Sequence, residues 1–475
     1  MSLQEQFLRR LAARGVARCL TGRPRDLKLL LALARVPIPN PSLAAFIGRL
    51  SADLRAGSGL ARILLHVGRH VNGRSKRRLI ENLFFKWIVE GGRVRTAHRA
   101  HGMWAPFFVA ISPTMRCNLK CTGCYAGLYC KDGELAEAEL DRLLLECKAM
   151  GAYFVVLSGG EPFLLKESLL RLFRKHQDMF FLVFTNGVLI DERTADELAE
   201  VGNVAPAVSV EGHREHTDAR RGSGVYEKVL ASMARLRARG VMFGISVTYT
   251  RDNVELVTGD DFVRFFSDRG AVFGWYFMFM PVGKDPLLDL VPTPEQRVAC
   301  GARIRDLRTR HPMFLADFWN DGATIGGCMA AGRRYLHVLN SGRVEPCVYA
   351  HFGVDNIRTT TLLEAANSPF FRAIRREFPY NASGNLKRPC MILDNPEVLR
   401  AVVREHIAPA GHPHAEDIVL DARVRAWADQ YAARMEELTE REWQRTIDEP
   451  ASRWSREKDE YRNLFRVHRA PPSRP

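Results

Sequence analysis

Three cysteines lie close together in the stretch CNLKCTGCYA, which begins at Cys117 and follows the apolar run FFVAIS and a proline. Cys117, Cys121 and Cys124 are separated by three residues and then by two, on a turn after a predicted strand. A structural zinc site usually takes four protein ligands, so a zinc knuckle here would also need Cys130. An iron–sulfur cluster bound by three thiolates leaves one iron free for another ligand. The spacing therefore indicates a cluster with an open coordination position, with the zinc knuckle as the alternative.

Further turn motifs follow the next three predicted strands, where a parallel βα fold builds its site. They are Gly159-Gly160-Glu161 after YFVVLS, Thr185-Asn186-Gly187 after FFLVFT, and Ser209, Glu211 and Gly212 at the end of VAPAVSV. Each motif alone is a weak signal, because glycine and asparagine often serve only to permit a turn. Their appearance in order at three successive strand ends indicates one shared binding site.

Together these motifs resemble the radical S-adenosylmethionine (SAM) superfamily. CNLKCTGCY is similar to the C-x3-C-x2-C motif of that family, so the resemblance implies a SAM-binding 4Fe–4S cluster on its three cysteines. It also implies that Gly159-Gly160-Glu161 holds the methionyl amino group of SAM. The family often has Asp where this chain has Glu211. The implied contacts to the ribose, the adenosine and, in DARRGSGVY, the SAM carboxylate are Thr185, Asn186, Ser209, Glu211 and Arg221.

A second cysteine pattern lies in the C-terminal half. Cys328, Gly342 and Cys347 give C-x13-G-x4-C, which is similar to the opening of the SPASM and twitch auxiliary-cluster domains. A full SPASM domain continues with a dense run of cysteines, whereas here Cys390 in KRPCMILDNP is the only one that follows. The resemblance therefore implies one auxiliary 4Fe–4S cluster. The alternatives are a zinc ribbon and buried free thiols. Cys19, Cys147 and Cys300 fall in helical patterns and are interpreted as core residues.

The resemblance implies an enzyme with a particular chemistry. In this family the reduced cluster cleaves SAM to a 5′-deoxyadenosyl radical, which abstracts hydrogen from an unactivated carbon. That chemistry belongs to the cofactor, while the protein binds and orients the cofactor and excludes solvent. A cellular reductant such as flavodoxin or ferredoxin is implied as a partner. A hydrophobic or membrane-associated substrate is the leading hypothesis and a peptide or protein maturase the second. An iron–sulfur electron-transfer protein is the alternative of another class.

The elements that must position these residues alternate between strands and helices. Six predicted strands with helices between them indicate an α/β fold with a parallel sheet. Six units are fewer than the eight of a closed barrel, so we predict a partial (β/α)6 TIM-like barrel. The hairpin YLHVLNSGRVEPC follows it. We divide the chain into a basic amphipathic helical segment (1–100), the barrel (101–310), a small auxiliary-cluster domain (311–400) and a helical tail (401–475).

Charge is distributed unevenly along the chain, whose net charge is +15. Residues 1–100 hold 20 Lys and Arg against 5 Asp and Glu, so the remainder is neutral. Apolar residues recur at helical spacing in this segment, at Leu43, Phe46, Ile47, Leu50 and Leu54 and again at Leu60, Ile63, Leu64, Val67 and Val71. This pattern favours docking to an anionic membrane surface, with a solvated helical cap as the alternative. No nucleic-acid-binding motif is recognisable.

The chain has the composition of a soluble globular protein, with 46% hydrophobic and 26% charged residues. We recognise neither a transmembrane run nor a secretory signal. The cysteines are therefore expected in a reducing cytoplasm, as thiols or metal ligands. The predicted location is cytoplasmic, with peripheral attachment to the inner face of the membrane as the hypothesis for the basic segment.

Overall fold

In the computed structural model of the chain, the structure describes residues 59–283 and 287–448, together with residues 15, 18, 20–23, 48, 52 and 56. Ten strands form one sheet in the order β10-β9-β8-β1-β2-β3-β4-β5-β6-β7. The strands are β1 Phe108–Ile111, β2 Phe154–Leu157, β3 Phe180–Thr185, β4 Val204–Val210, β5 Gly244–Tyr249, β6 Phe273–Met278, β7 Phe314–Asp317, β8 Tyr335–Val338, β9 Arg343–Glu345 and β10 Asp355–Asn356.

Strands β1 to β7 are all parallel and each pairs with the next in chain order. Their residues are almost continuously buried, as expected for strands covered on both faces. This largely parallel sheet confirms the predicted fold class. The structure adds a seventh parallel strand, β7, which the sequence pattern did not indicate. Its four residues are too few to show a period that distinguishes a strand from a turn.

The predicted hairpin forms, and it joins the barrel sheet. β8 pairs parallel with β1 and antiparallel with β9. Between them Gly342 has φ +83°, a conformation that glycine adopts without strain. Cys347, two residues after β9, is therefore joined to the first strand of the barrel by a continuous hydrogen-bonded ladder. The division into four domains stays a prediction.

Helices cover the outside of the sheet. Two short 3₁₀ helices lie at Pro162–Leu165 and Leu288–Leu290, and the helix Leu79–Glu90 has π-helical hydrogen bonding. The longest helix has an apolar face on which Val424, Tyr431 and Met435 are buried. The helices are α1 Gly59–His70, α2 Gly73–Arg78, α3 Leu79–Glu90, α4 Gly91–Ala100, α5 Glu137–Ala149, α6 Lys166–Lys175, α7 Glu192–Val201, α8 Arg214–Arg221, α9 Val225–Ala238, α10 Val254–Val257, α11 Asp260–Asp268, α12 Pro294–Arg310, α13 Gly322–Ile325, α14 Leu362–Ala365, α15 Pro369–Arg376, α16 Pro396–Glu405, α17 Asp417–Leu420 and α18 Ala422–Asp448.

The described part of the basic N-terminal segment packs against the barrel. Val67 and Val71 belong to the main hydrophobic core, and Ile63 packs against it. The Asn82 amide donates hydrogen bonds to the carbonyl oxygens of Gln177 and Met179, just before β3. The second apolar stripe is therefore used within the fold. The first stripe, from residue 43 to residue 54, lies outside the described residues. No helix in the described ranges is both long and apolar enough to cross a bilayer.

Candidate functional site

The three cysteines of CNLKCTGCYA lie on an irregular loop directly after β1, and all three line one cavity inside the barrel. The cavity has a volume of about 560 Å³. Burial raises the pKa of the Cys121 thiol. Tyr125 ties the loop to the end of β2, because its hydroxyl lies 2.9 Å from the Ser158 Oγ. A short, anchored loop thus presents three thiols to a common space.

The Gly159-Gly160 turn packs directly on the backbone that precedes Cys117. The Gly160 N–H donates to the Thr114 carbonyl oxygen at 3.0 Å. Gly159 has φ +109°, and a Cβ at Gly160 would lie 2.0 Å from the Arg116 carbonyl oxygen. No side chain larger than hydrogen fits there. The two glycines therefore bring the turn after β2 against the cysteine loop, and both line the cavity.

Glu161 lies next to these glycines, but its side chain does not line the cavity. The carboxylate is fully buried and accepts hydrogen bonds from the Phe163 N–H at 3.0 Å, the Thr185 hydroxyl at 2.7 Å and the Asn186 N–H at 2.7 Å. Burial raises the pKa of this carboxyl group, and the hydrogen bonds oppose that shift. Glu161 thus ties the turn after β2 to the turn after β3.

Replacing Glu161 with Gln is expected to lower the free energy of unfolding by about 2 kcal/mol, because the amide NH₂ would face one of three donors that now find an acceptor. Urea denaturation measures this difference. The matched control is Glu215→Gln, an exposed position whose change should leave stability unaltered. Equal stability of Glu161→Gln and the wild type would contradict the bracing role.

The other predicted SAM-contacting residues divide between the cavity and its support. Thr185, Asn186, Ser209 and Arg221 line the cavity with the cysteines. Glu211 does not: its buried carboxylate accepts a hydrogen bond from the Arg221 Nε at 2.9 Å and another from Arg220 Nη1 at 2.6 Å. Glu211 therefore positions two arginines that face the cavity. Arg220 was missed from the sequence, although the adjacent pair in DARRG was a visible signal.

The cysteines of the C-terminal half lie behind the cavity wall. Cys347 and Cys390 belong to the main core, and Cys328 packs against it. Burial is the main cause that raises the pKa of each thiol, and neighbouring cysteines of the group further raise the pKa of Cys328 and of Cys390. The residues that follow Cys328 and Cys347 in the chain, Met329 and Val348, line the cavity. The structure thus brings these three thiols together in a second place next to the first.

Both cysteine groups fit iron–sulfur clusters better than single metal ions. Within the described ranges, no three His, Cys, Asp or Glu side chains converge closely enough to hold one ion. Thiolates of a cluster bind different irons, so they stand further apart than the ligands of one ion. Cys130 is exposed and does not line the cavity, which disfavours the zinc knuckle. Buried thiols with raised pKa values need a compensating cation to ionise, and the irons of a cluster supply it.

The rest of the cavity wall is largely aromatic and was not predicted from the sequence. Inward-facing rings come from β1, β2, β3, β6 and β7, and two further side chains come from α3. Asp317, at the end of β7, is a buried acidic residue of this wall, and burial raises the pKa of its carboxyl group. Its Oδ2 accepts a hydrogen bond from the Asn320 amide at 2.7 Å. The aromatic wall residues are Trp87, Phe108, Tyr125, Phe154, Phe184, Trp275, Phe277, Phe314, Phe318, Tyr335 and Tyr349.

Comparison with known protein families identifies both cysteine groups. Residues 111–264 match the radical SAM superfamily, and residues 328–391 match an iron–sulfur cluster-binding domain, SPASM. These two domains imply a 4Fe–4S cluster, an auxiliary cluster and SAM binding, which confirms the cofactors predicted from the sequence. Radical SAM enzymes also need a reductant.

The chain is similar in sequence to a synthase and to a maturase. The chain is 35% identical over 147 residues to Fe-coproporphyrin III synthase of Methanosarcina barkeri, a match that covers 30% of this chain and 36% of that protein. It is 29% identical over 304 residues to the mycofactocin maturase MftC of Mycobacterium tuberculosis strain H37Rv, covering 60% of this chain and 76% of that protein. The chain thus spans about a third of one relative and most of the other.

Among solved structures, SuiB of Streptococcus suis bound to its precursor peptide SuiA has the same fold, with a TM-score of 0.53 and 17% identity. The similarity covers 74% of this chain and 93% of that chain. The likeness supports the partial barrel and the attached C-terminal cysteine domain as one architecture. The chain therefore carries a radical SAM domain, matched over residues 111–264, and in its C-terminal half a SPASM-type iron–sulfur cluster-binding domain, matched over residues 328–391.

Proposed function

We propose that the chain cleaves SAM reductively and uses the radical on an apolar group of a substrate held in the barrel cavity. The observation that carries this proposal is the convergence of three cysteine thiols and the turns after β2, β3 and β4 on one largely apolar cavity. When bound, the reduced cluster and SAM supply a 5′-deoxyadenosyl radical able to abstract hydrogen from carbon. The protein supplies binding, orientation and protection from water.

Each of the converging residues receives a role in this proposal. Cys117, Cys121 and Cys124 anchor the cluster. The backbone of the Gly159-Gly160 turn receives the amino group of SAM, and Arg221 receives its carboxylate. Glu161 and Glu211 act as positioning residues, because their carboxylates are occupied by protein donors. The contacts to the ribose and adenosine are Thr185, Asn186 and Ser209.

The substrate class follows from the wall of the cavity. Aromatic and aliphatic side chains form most of it, and such walls favour apolar groups because water is released on binding. The peptide or protein maturase stays the second candidate, since MftC is named a maturase and SuiB was solved with a precursor peptide. A peptide whose apolar side chain enters the cavity would be consistent with both hypotheses for the substrate.

The test of this function is anaerobic reconstitution with iron and sulfide, followed by SAM and dithionite. We expect release of 5′-deoxyadenosine, because Cys117, Cys121 and Cys124 would hold the cluster that, when reduced, would supply the electron for this cleavage. A protein that uses its clusters only for electron transfer would hold iron and release no 5′-deoxyadenosine. Reduced flavodoxin and ferredoxin then replace dithionite, to identify the class of cellular reductant.

Membrane attachment is proposed for residues 1–58 alone, because the helices from residue 59 to residue 100 pack on the barrel. This stretch holds ten Lys and Arg against three Asp and Glu, and a cation near an anionic surface contributes about 1 kcal/mol. We expect co-sedimentation with anionic but not neutral vesicles, weakened by salt. Phe46→Asp with Ile47→Asp should reduce it further. Equal recovery on both vesicle types would contradict the proposal.

A further inference from the structure

The barrel cavity extends far below the cysteine loop. On β2 its lining follows alternate residues, from Ser158 at the upper end through Val156 to Phe154 at the lower end. Four residues of a strand rise about 13 Å. Phe108 on β1 lies in register with Tyr335 on β8, and both line the same lower end. The cavity therefore runs the whole height of the sheet, whereas the cysteine loop and the strand-end turns occupy only its upper end.

Small side chains leave the middle of the barrel open. Ala110 on β1, Ser246 on β5 and Ala316 on β7 line the cavity, beside the larger Val156 and Trp275 that are paired with the two alanines. In closed (β/α)8 barrels these inner layers are filled by bulky branched side chains. Here the short side chains make a passage between the upper end and the lower end of the cavity. We call the space below this passage, lined by Leu83, Trp87, Phe108, Phe154 and Phe314, the lower chamber.

Helix α3 closes the lower chamber with Trp87. The indole Nε1 donates a hydrogen bond to the Phe107 carbonyl oxygen at 2.6 Å. The ring centroid lies 4.3 Å from that of Phe107 and 5.0 Å from that of Phe154. Arg95 on the next helix donates to the Trp87 carbonyl oxygen at 3.1 Å. The indole is thus held on both its polar and apolar sides, and it forms a rigid end to the chamber.

The chamber also reaches the surface beside Phe314. This side chain is 52% exposed, although it is a large apolar residue and lines the cavity. Its ring lies 6.5 Å from that of Trp275, which also lines the cavity. Phe314 thus belongs both to the wall of the cavity and to the surface of the protein. The lower chamber therefore has an apolar wall, a fixed end and an apolar rim.

We propose that the lower chamber binds an alkyl chain of the substrate and that Trp87 limits the length of that chain. The proposal rests on the proposed function for the identity of the cavity as the substrate site. An alkyl chain matches the depth and the scarcity of polar partners below the passage. The substrate would then place the reacting carbon near the cysteine loop and its chain toward α3. Trp87 and Leu83 are specificity-determining residues in this arrangement, supplied by a segment outside both matched domains.

The test uses the anaerobically reconstituted enzyme with SAM and a series of n-alkanols from butanol to dodecanol as probes, with binding measured by calorimetry. Each added methylene should tighten binding about fourfold until the chain reaches Trp87. Ala316→Phe, which fills the passage, should weaken octanol binding at least tenfold. Ala316→Leu is measured beside it in case the larger ring is not tolerated. Trp87→Ala should extend the chain-length series toward dodecanol.

Two controls keep the outcome interpretable. Ala401→Phe, at an exposed position on α16, should bind octanol like the wild type. Release of 5′-deoxyadenosine in the same preparations tests the proposed function separately, because its loss with intact alkanol binding overturns that function and not the chamber. Absence of a chain-length dependence in the wild type would overturn the chamber. So would equal octanol binding by both Ala316 variants and Ala401→Phe.

Discussion

Replacing Cys121 with Ala is expected to reduce the release of 5′-deoxyadenosine to the background of the assay. Among the residues that the structure describes, three thiols line the cavity at its upper end, so loss of one leaves two protein ligands for a cluster that also has to accept SAM. The measurement is 5′-deoxyadenosine formed under dithionite after anaerobic reconstitution. The same result is expected for Cys117→Ala and Cys124→Ala.

Cys130→Ala is the matched control for that experiment. Its thiol is exposed on the same stretch of chain and does not line the cavity, so this variant should retain full cleavage of SAM. A zinc knuckle would need all four cysteines, and it predicts the same defect in all four variants. Full cleavage by Cys121→Ala would remove the proposed role of the cysteine loop.

Replacing Cys328, Cys347 and Cys390 together should remove about four irons per chain, the content of one 4Fe–4S cluster. The three thiols lie behind the cavity wall and do not line it, so the cluster of the barrel should remain. Cleavage of SAM should therefore continue, while turnover of the true substrate fails. Iron and sulfide analysis of the purified variant measures the loss.

The control for the triple variant is Cys147→Ala with Cys300→Ala. Both thiols are fully buried in the core, and neither lines the cavity. Burial raises the pKa of each, which keeps them as neutral thiols. Iron content should be unchanged in this double variant. Unchanged iron in the triple variant would mean that the auxiliary cluster is not held there.

The parts of the site that consist of short sequence motifs could be predicted from the sequence. CNLKCTGCY and the Gly159-Gly160 turn lie at strand ends, and parallel strands bring their carboxyl ends to one edge. The hydrophobic runs that precede them determined the strand assignments, so the motifs were placed correctly relative to the sheet. The spacing of Val424, Tyr431 and Met435, seven and four residues apart, is likewise typical of one face of a helix.

The remaining features depend on contacts between distant parts of the chain. Trp87 reaches the cavity because α3 packs against β2 and β3, and no local pattern indicates that placement. Glu161 was predicted as a ligand contact, but the close approach of two glycines to residues 114–116 turns its carboxylate toward Thr185 and Asn186. The direction of a side chain at a turn is decided by the partner backbone, which the sequence does not show.

The central claim is that the cluster of the barrel has one iron without a protein thiolate and that SAM binds there. The most direct measurement is electron paramagnetic resonance of the reduced Cys328→Ala, Cys347→Ala, Cys390→Ala variant, which retains only the cluster on Cys117, Cys121 and Cys124. We predict that adding SAM changes the spectrum of this cluster, because a new ligand enters its open iron. A spectrum unchanged by saturating SAM would contradict the account.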